Sequence, residues 1–144
     1  MVEDNPNDLE LALHALKKHK LANRIQVARD GAEALEFLFG KDGSATRLPK
    51  TPKIILLDLK LPKVDGLEVL RRIKKDPRTR SIPVTVLSSS REDRDLAEAY
   101  SLGVNSYIVK PVGFHAFVDA VRQLGLYWLL LNERPDAAAV TAGA

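Results

Sequence analysis

The feature that most constrains the fold is an uninterrupted apolar run, Ile54-Ile55-Leu56-Leu57, that ends abruptly at Asp58. A strand that faces solvent on one side alternates apolar with polar residues, and this run does not alternate. It therefore predicts a central parallel strand that is buried on both faces. Such a strand requires helices on both sides of its sheet, and the rest of the chain must supply them.

The remaining patterns alternate between strand and helix along the chain. Besides the run at 54–57, short apolar segments predict strands over residues 25–28, 84–87 and 107–109. Apolar residues at helical spacing predict helices over about 9–18, 32–39, 67–75, 91–102 and 112–131, the last one divided near Gly125. Residues 40–52 lack periodicity and are expected to form a long loop. This order indicates an α/β fold with a doubly wound parallel sheet.

The start of the chain departs from this scheme. A doubly wound sheet places a central strand before its first helix, yet only Met1 and Val2 precede Glu3. The helix is expected to begin close behind, because Asn5-Pro6 is a favourable start for a helix. We therefore expect a first strand that is nearly absent. Either the sequence as given lacks most of that strand, or the sheet is built without it.

Composition excludes several classes of protein. The chain has 144 residues, which fits one domain, and it contains no cysteine. Disulfides, thiol nucleophiles and cysteine-ligated metals are therefore excluded. A net charge of +3 is too weak a basic bias to indicate nucleic-acid binding. Since no apolar run reaches about 20 residues and no signal-peptide pattern is present, we expect a cytoplasmic protein without membrane contact.

The polar residues that follow the strands form one coherent set, because the carboxyl ends of parallel strands meet at one edge of the sheet. In chain order, the set comprises Glu3, Asp4, Asp58, Ser88 and Lys110. Neighbouring carboxylates repel one another unless cations offset their charge, and their oxygens suit Mg²⁺. A carboxylate beside Mg²⁺ can accept a phosphoryl group. Lys110 could then neutralise the phosphoryl oxygens, and the Ser88 hydroxyl could donate a hydrogen bond to one of them.

The motifs that contain these residues resemble the receiver domains of two-component response regulators. They occur in order and at normal spacing over about residues 1–124, and comprise Val2–Pro6, Leu57–Pro62 with Asp65-Gly66, Leu87–Ser89 and Tyr107–Pro111. The resemblance implies a flavodoxin-like fold whose five parallel strands lie in the order 2-1-3-4-5.

The same resemblance assigns roles at the strand ends. It implies that Asp58 is the phosphoacceptor and that Lys110 binds the phosphoryl group. The Mg²⁺ ligands that it implies are Asp4 and Asp58 directly, Glu3 through water, and the backbone carbonyl of Lys60. The peptide bond between Lys110 and Pro111 is expected to be cis, which is rare even before proline.

Further roles that the resemblance implies concern regulation. Ser88 and Tyr107 take the two switch positions, so that movement of the Ser88 loop lets Tyr107 pack inward. Lys60 and Ser90 each lie two residues beyond a site residue. In such domains these positions border the phosphoryl group and tune its hydrolysis.

The long loop before Ile54 and the apolar ending of the chain are similar to those of small regulators that pair with bacterial phytochrome kinases. We expect a receiver domain over 1–124, an apolar extension over 125–134 and a disordered tail over 135–144. The stretch from Leu124 to Leu131 is apolar nearly all round, which exceeds what packing against one sheet requires. We therefore expect a homodimer whose contact comprises Phe117, Leu124, Tyr127, Trp128 and Leu131.

The expected function is that of a signalling phosphoacceptor rather than an enzyme with an external substrate. A partner histidine kinase, in this subgroup a phytochrome, phosphorylates Asp58, and the output is altered dimerisation or partner binding. Catalysis would extend at most to the protein's own phosphorylation and dephosphorylation. Two alternatives stay open. One is a phosphohydrolase with Asp58 as nucleophile, although Lys60 stands where such enzymes often carry a second acid. The other is a phosphate-independent interaction module with a vestigial acidic site.

Overall fold

The computed structural model describes residues 1–18, 25–41, 52–111 and 113–131, with only the backbone of residues 130 and 131. Its central feature is a parallel sheet of three strands, β1 (Ile55–Leu57), β2 (Val84–Ser88) and β3 (Ser106–Val109), in the order β1-β2-β3. All residues of β1 and β2 are buried, as the apolar run predicts. The strands predicted at 54–57, 84–87 and 107–109 are therefore confirmed.

Two further chain segments extend the sheet by single parallel pairs. Val2 pairs with Leu57 on one side and with Ala28 on the other. The amide of Val2 donates to the Leu56 carbonyl at 2.8 Å, and the amide of Glu3 donates to the Ala28 carbonyl at 3.0 Å. The order of chain segments across the sheet is thus 2-1-3-4-5, which confirms the expected topology.

The predicted strand at 25–28 is wrong for its first three residues, since only Ala28 pairs. Its alternating β-branched pattern favours an extended backbone. A strand also needs a neighbour, however, and the adjacent segment offers only Met1 to Glu3 before a helix begins at Pro6.

Within the described ranges, five α-helices connect and cover the sheet: α1 (Pro6–Lys18), α2 (Gly31–Phe39), α3 (Gly66–Lys75), α4 (Asp93–Ser101) and α5 (Phe114–Gly125). A π-helix (Leu126–Leu131) continues from α5, so the predicted division of the last helix near Gly125 is confirmed. The side chain of Asn5 accepts hydrogen bonds from the amides of Asn7 and Asp8, which satisfies two of the free donors at the start of α1.

The core lies on both faces of the sheet. One apolar cluster contains residues of α2, α3 and α4 together with residues of β1 and with Val84 and Val86 of β2; it includes Leu57 and Ile73. The second contains residues of α1 and α5 with Leu87, including Leu16 and Val121. Burial on both faces is the doubly wound arrangement that the alternating elements predict.

Parts of the expected organisation lie outside the described residues. These are most of the predicted loop at 40–52, namely residues 42–51, and the tail at 135–144 together with residues 132–134 of the extension. Within the described ranges, no helix combines the length and the apolarity that crossing a bilayer requires.

Candidate functional site

The carboxyl ends of the strands bring the predicted site residues to one edge of the sheet. Asp58 follows β1, Ser88 is the last residue of β2, and Lys110 follows β3. The amide of Lys110 donates to the Ser88 carbonyl at 2.7 Å, which continues the pairing of these two strands past β3. Parallel pairing therefore fixes the three residues next to one another.

The three predicted metal-binding carboxylates meet at this edge. Each of Glu3, Asp4 and Asp58 offers a carboxylate oxygen, and these oxygens lie within 4.8 Å of one another. Glu3 and Asp58 are buried, with 2% and 7% of their surface exposed, whereas Asp4 is exposed. Two buried acids and one exposed acid form a site that opens to solvent on the side of Asp4.

Lys110 lies at the centre of the carboxylates. Its Nζ is 2.5 Å from Glu3 Oε1, 2.9 Å from Asp8 Oδ2 and 3.3 Å from Asp58 Oδ2. Burial alone would lower the pKa of Lys110, but its hydrogen bonds to Glu3 and Asp8 and the charge of Asp58 outweigh burial and raise this pKa. The ammonium group is therefore permanently charged in the physiological pH range.

Asp8 is a site residue that the sequence analysis does not identify. It lies in the first turn of α1, where an acid is also favoured simply by the helix dipole. The only signal in the sequence is that Asp8 follows Asp4 by four residues in the same acidic segment. With Asp8, three carboxylates contact Lys110, those of Glu3, Asp8 and Asp58.

The site has a deficit of positive charge. Burial, followed by the neighbouring Asp58, raises the pKa of Glu3 to about 8. Its Oε2 atom is buried without a hydrogen-bond partner among the described residues. A buried acceptor without a donor is costly, and a divalent cation next to carboxylate oxygens would satisfy it. The donor set therefore fits a hard divalent cation such as Mg²⁺.

A close backbone contact positions the loop that carries Asp58. A Cβ atom on Gly66 would lie 2.3 Å from the Asp58 carbonyl oxygen, so only glycine fits at the start of α3. The amide of Gly66 donates to the Leu59 carbonyl at 2.8 Å. The Asp65-Gly66 pair of the sequence motif thus holds the Asp58 loop against α3.

The predicted regulatory residues lie together on the other side of the site. The amide of Ser90 donates to Ser88 Oγ at 3.2 Å, and the hydroxyl of Tyr107 donates to the Ser90 carbonyl at 3.0 Å. The amide of Lys60 lies 3.4 Å from Asp58 Oδ1. Burial raises the pKa of Tyr107 above its ordinary value, so the phenol remains a donor at neutral pH.

Asp95 is the second residue that the sequence analysis does not identify. It lies in the first turn of α4 and is 4% exposed. It accepts a hydrogen bond from Ser90 Oγ at 2.5 Å, and Lys60 Nζ lies 3.8 Å from the same carboxylate oxygen. A buried acid thus contacts both of the predicted hydrolysis-tuning residues.

Two of the five predicted dimer residues are not at the surface. Phe117 and Leu124 are 3% and 7% exposed within a single chain, and Phe117 packs in the apolar cluster beneath α1 and α5. Their inclusion in a dimer contact is therefore wrong, because they lie on the face of α5 that packs inward. Tyr127 is 51% exposed, Trp128 is half-buried, and the side chain of Leu131 lies outside the described residues.

The expected cis peptide bond between Lys110 and Pro111 is absent, since all peptide bonds of the described ranges are trans. Trans is the ordinary state of a bond before proline, favoured by about 0.5–1 kcal/mol.

Comparison with known sequences agrees with this geometry. The family described as "Response regulator receiver domain" matches residues 1–122. The "Probable methanogenesis regulatory protein FilR2" of Methanothrix harundinacea is 44% identical over 138 residues, which cover 96% of this chain and 87% of FilR2. "Response regulator Rcp1" of Synechocystis sp. is 37% identical over 137 residues, which cover 95% of this chain and 92% of Rcp1.

Solved structures give the same result. The phosphorylated cyanobacterial phytochrome response regulator RcpA matches with a TM-score of 0.85 and 38% identity over 94% of this chain and 95% of that one. The Mn²⁺-bound form of Rcp1 matches with a TM-score of 0.84 and 35% identity over 94% and 96%. The chain therefore belongs to the response regulator receiver domains, the phosphoacceptor modules of two-component signalling.

Proposed function

We propose that Asp58 accepts a phosphoryl group from a phosphohistidine of a sensor histidine kinase. The observation that carries this proposal is the position of the Asp58 carboxylate, 3.3 Å from Lys110 Nζ and within 4.8 Å of the Glu3 and Asp4 oxygens. In the transfer, a carboxylate oxygen forms a bond to phosphorus as the bond from phosphorus to the histidine nitrogen breaks. The nitrogen keeps the electron pair, and Asp58 becomes an acyl phosphate.

The proposed cation is Mg²⁺, held by Asp4 and Asp58 directly, by Glu3 through water, and by the Lys60 backbone carbonyl. When bound, it supplies positive charge beside the phosphoryl oxygens. Two observations support a cation at this place: the Glu3 Oε2 atom has no hydrogen-bond partner in the part of the chain that the structure describes, and the pKa of Glu3 is raised. Among the relatives, Rcp1 has been solved in its Mn²⁺-bound form.

Lys110 and Ser88 would hold the transferred group. Lys110 already lies between three carboxylates and keeps its charge, so it can exchange a carboxylate contact for one to a phosphoryl oxygen. Ser88 is buried at the end of β2, and its hydroxyl would donate to another phosphoryl oxygen. Both contacts form only after the phosphoryl group arrives, so they favour the phosphorylated state.

Ser88 and Tyr107 would transmit the change. The Ser90 carbonyl accepts from the Tyr107 hydroxyl, and the Ser90 amide donates to Ser88 Oγ, so movement of Ser88 alters the surroundings of Tyr107. Phosphorylation would then shift the population between two arrangements of the surface around α4 and β3. Lys60 and Ser90 would tune how long the phosphoryl group persists.

The proposed partner is a histidine kinase of the phytochrome class. The similarity to RcpA, a phytochrome response regulator, over 94% of this chain supports this assignment. The proposed output is altered self-association or partner binding, without turnover of an external substrate. We propose the receiver domain at 1–124 and the apolar extension at 125–134.

The proposed self-association is a homodimer formed through the extension. Tyr127 is half exposed at the surface, and its ring packs edge-on against Trp128 with the ring centroids 4.9 Å apart. Paired aromatic side chains at a surface are typical anchors of protein interfaces.

The test is the intact mass after incubation with acetyl phosphate and Mg²⁺. We expect wild type to gain one phosphoryl group, and we expect no gain for Asp58→Asn or in excess chelator. Asp93→Asn, which changes an exposed acid at the start of α4, is the matched control and should be phosphorylated like wild type.

Other outcomes would replace the proposal. Continuous release of phosphate from an added phosphomonoester, dependent on Asp58, would indicate a phosphohydrolase. A folded wild type that gains no mass under any of these conditions would indicate an interaction module with a vestigial site.

A further inference from the structure

A single buried carboxylate connects the chain segments that border the phosphoacceptor. Asp95 is 4% exposed, although it lies only two residues after the exposed Asp93 in the first turn of α4. Burial of an acid is costly unless the acid is paired and hydrogen-bonded. The contacts of Asp95 therefore indicate its role.

The contacts of Asp95 reach two different loops. Its Oδ2 atom accepts from Ser90 Oγ at 2.5 Å, which holds the loop between β2 and α4. The same oxygen lies 3.8 Å from Lys60 Nζ, which comes from the loop between β1 and α3. The Lys60 side chain is 63% exposed, so without this partner it would be free to move in solvent.

These loops lie beside the phosphoacceptor. Lys60 is two residues from Asp58, and its amide lies 3.4 Å from Asp58 Oδ1. Ser90 is two residues from Ser88 and donates its amide to Ser88 Oγ. Asp95 thus joins the loop that follows Asp58 to the loop that follows Ser88, and neither of these contacts involves Asp58 itself.

We infer that Asp95 is a positioning residue that holds Lys60 and Ser90 together beside Asp58 and so prolongs the lifetime of the phosphoryl group. The inference rests on the proposed phosphorylation of Asp58. In hydrolysis, a water oxygen bonds to phosphorus as the bond from phosphorus to the Asp58 oxygen breaks. The carboxylate leaves with the electron pair, and the water protons pass to the released phosphate or to solvent. The attacking water must lie in line with phosphorus and the leaving Asp58 oxygen, so the groups held beside Asp58 affect its approach.

The experiment measures the first-order loss of the phosphoryl group by intact mass, after acetyl phosphate is removed. We expect Asp95→Asn to lose the phosphoryl group about threefold faster than wild type. The effect should be modest because the Lys60 partner of the ion pair is exposed to solvent. Asn has the same shape as Asp and its side-chain oxygen can still accept from Ser90 Oγ. The substitution therefore removes only the negative charge that attracts Lys60. Asp93→Asn, in the same helical turn, should match wild type.

A second background separates positioning from general damage to the fold. In Lys60→Met, which keeps the backbone carbonyl, the further change Asp95→Asn should leave the lifetime unchanged. A change that merely loosened the fold would accelerate hydrolysis equally in both backgrounds.

Two results would overturn the inference: an unchanged or longer lifetime in Asp95→Asn, or an undiminished effect in the Lys60→Met background. A wild type that cannot be phosphorylated would instead overturn the proposed function. The two failures are therefore distinguishable.

Discussion

The ammonium group of Lys74 is satisfied by oxygen atoms at the edge of the sheet opposite the site. It donates to the Ile82 carbonyl at 2.8 Å, the Arg80 carbonyl at 3.2 Å and Asn105 Oδ1 at 3.1 Å. Burial lowers the pKa of Lys74 to about 8. A cation in this position joins the end of α3 to the segments that lead into β2 and β3.

Lys74→Met should lower the free energy of unfolding by about 1–3 kcal/mol at pH 7, because it removes a half-buried donor from its acceptors. The pH dependence has a definite sign. Between pH 8 and about 10 the unfolded chain keeps more protons on Lys74 than the folded chain does, so this residue makes wild type more stable as pH rises.

The measurement is urea denaturation of both proteins at pH 7, 8, 9 and about 10. The destabilisation by Lys74→Met should grow over this range, because only wild type gains stability as the half-buried Lys74 loses its proton. A difference that is constant with pH would contradict the lowered pKa. Lys75→Met, in the same helical turn, is the control and should show little change.

Residues at strand ends can be predicted from the sequence because parallel strands share one orientation. That rule brings Asp58, Ser88 and Lys110 together without knowledge of any side-chain contact. Asp8 and Asp95 could not be predicted in the same way, because both lie in first turns of helices, where acids are common. Only the packing of each helix decides which acid turns inward.

At the scale of elements, the contact between α3 and the loop after β1 depends on the absence of a side chain at Gly66. A Cβ atom there would lie 2.3 Å from the Asp58 carbonyl oxygen and 2.5 Å from Leu59 Cα, both of them backbone atoms. Backbone cannot move aside as a flexible side chain can, so α3 and the loop must separate.

Gly66→Ala should lower the free energy of unfolding by about 1–3 kcal/mol and slow phosphorylation of Asp58 by acetyl phosphate. Gly103→Ala is the control. Its φ of +99° makes alanine strained by about 1–2 kcal/mol, but its nearest neighbour is the flexible Lys74 side chain at 3.5 Å.

Both variants should therefore unfold at lower urea concentrations, and only Gly66→Ala should phosphorylate slowly. Equal phosphorylation rates in folded samples of the two variants would contradict a positioning role for this contact.

For the whole molecule, the resemblance to receiver domains predicts the order of the strands in the sheet. It does not predict how many residues each strand contains. Residues 25–27 have the alternating pattern of a strand, yet only Ala28 pairs, because pairing depends on how many residues the neighbouring segment offers. Likewise, the apolar character of α5 and the π-helix predicts that their side chains are buried. It does not distinguish packing against the protein's own core from packing against a second molecule. Phe117 and Leu124 are buried against the protein's own core.

Because Phe117 and Leu124 are buried, the proposed dimer contact is limited to the exposed part of the extension, which includes Tyr127. Tyr127→Ser should raise the dimer dissociation constant by at least about tenfold, because truncating an aromatic anchor costs about 2 kcal/mol or more. Sedimentation velocity over a concentration series, with and without acetyl phosphate and Mg²⁺, measures this change.

Tyr100→Ser is a matched control, since Tyr100 is 53% exposed against 51% for Tyr127 and lies on α4. Equal weakening by both variants would contradict the extension as the contact, because it would move the interface to a surface that includes α4.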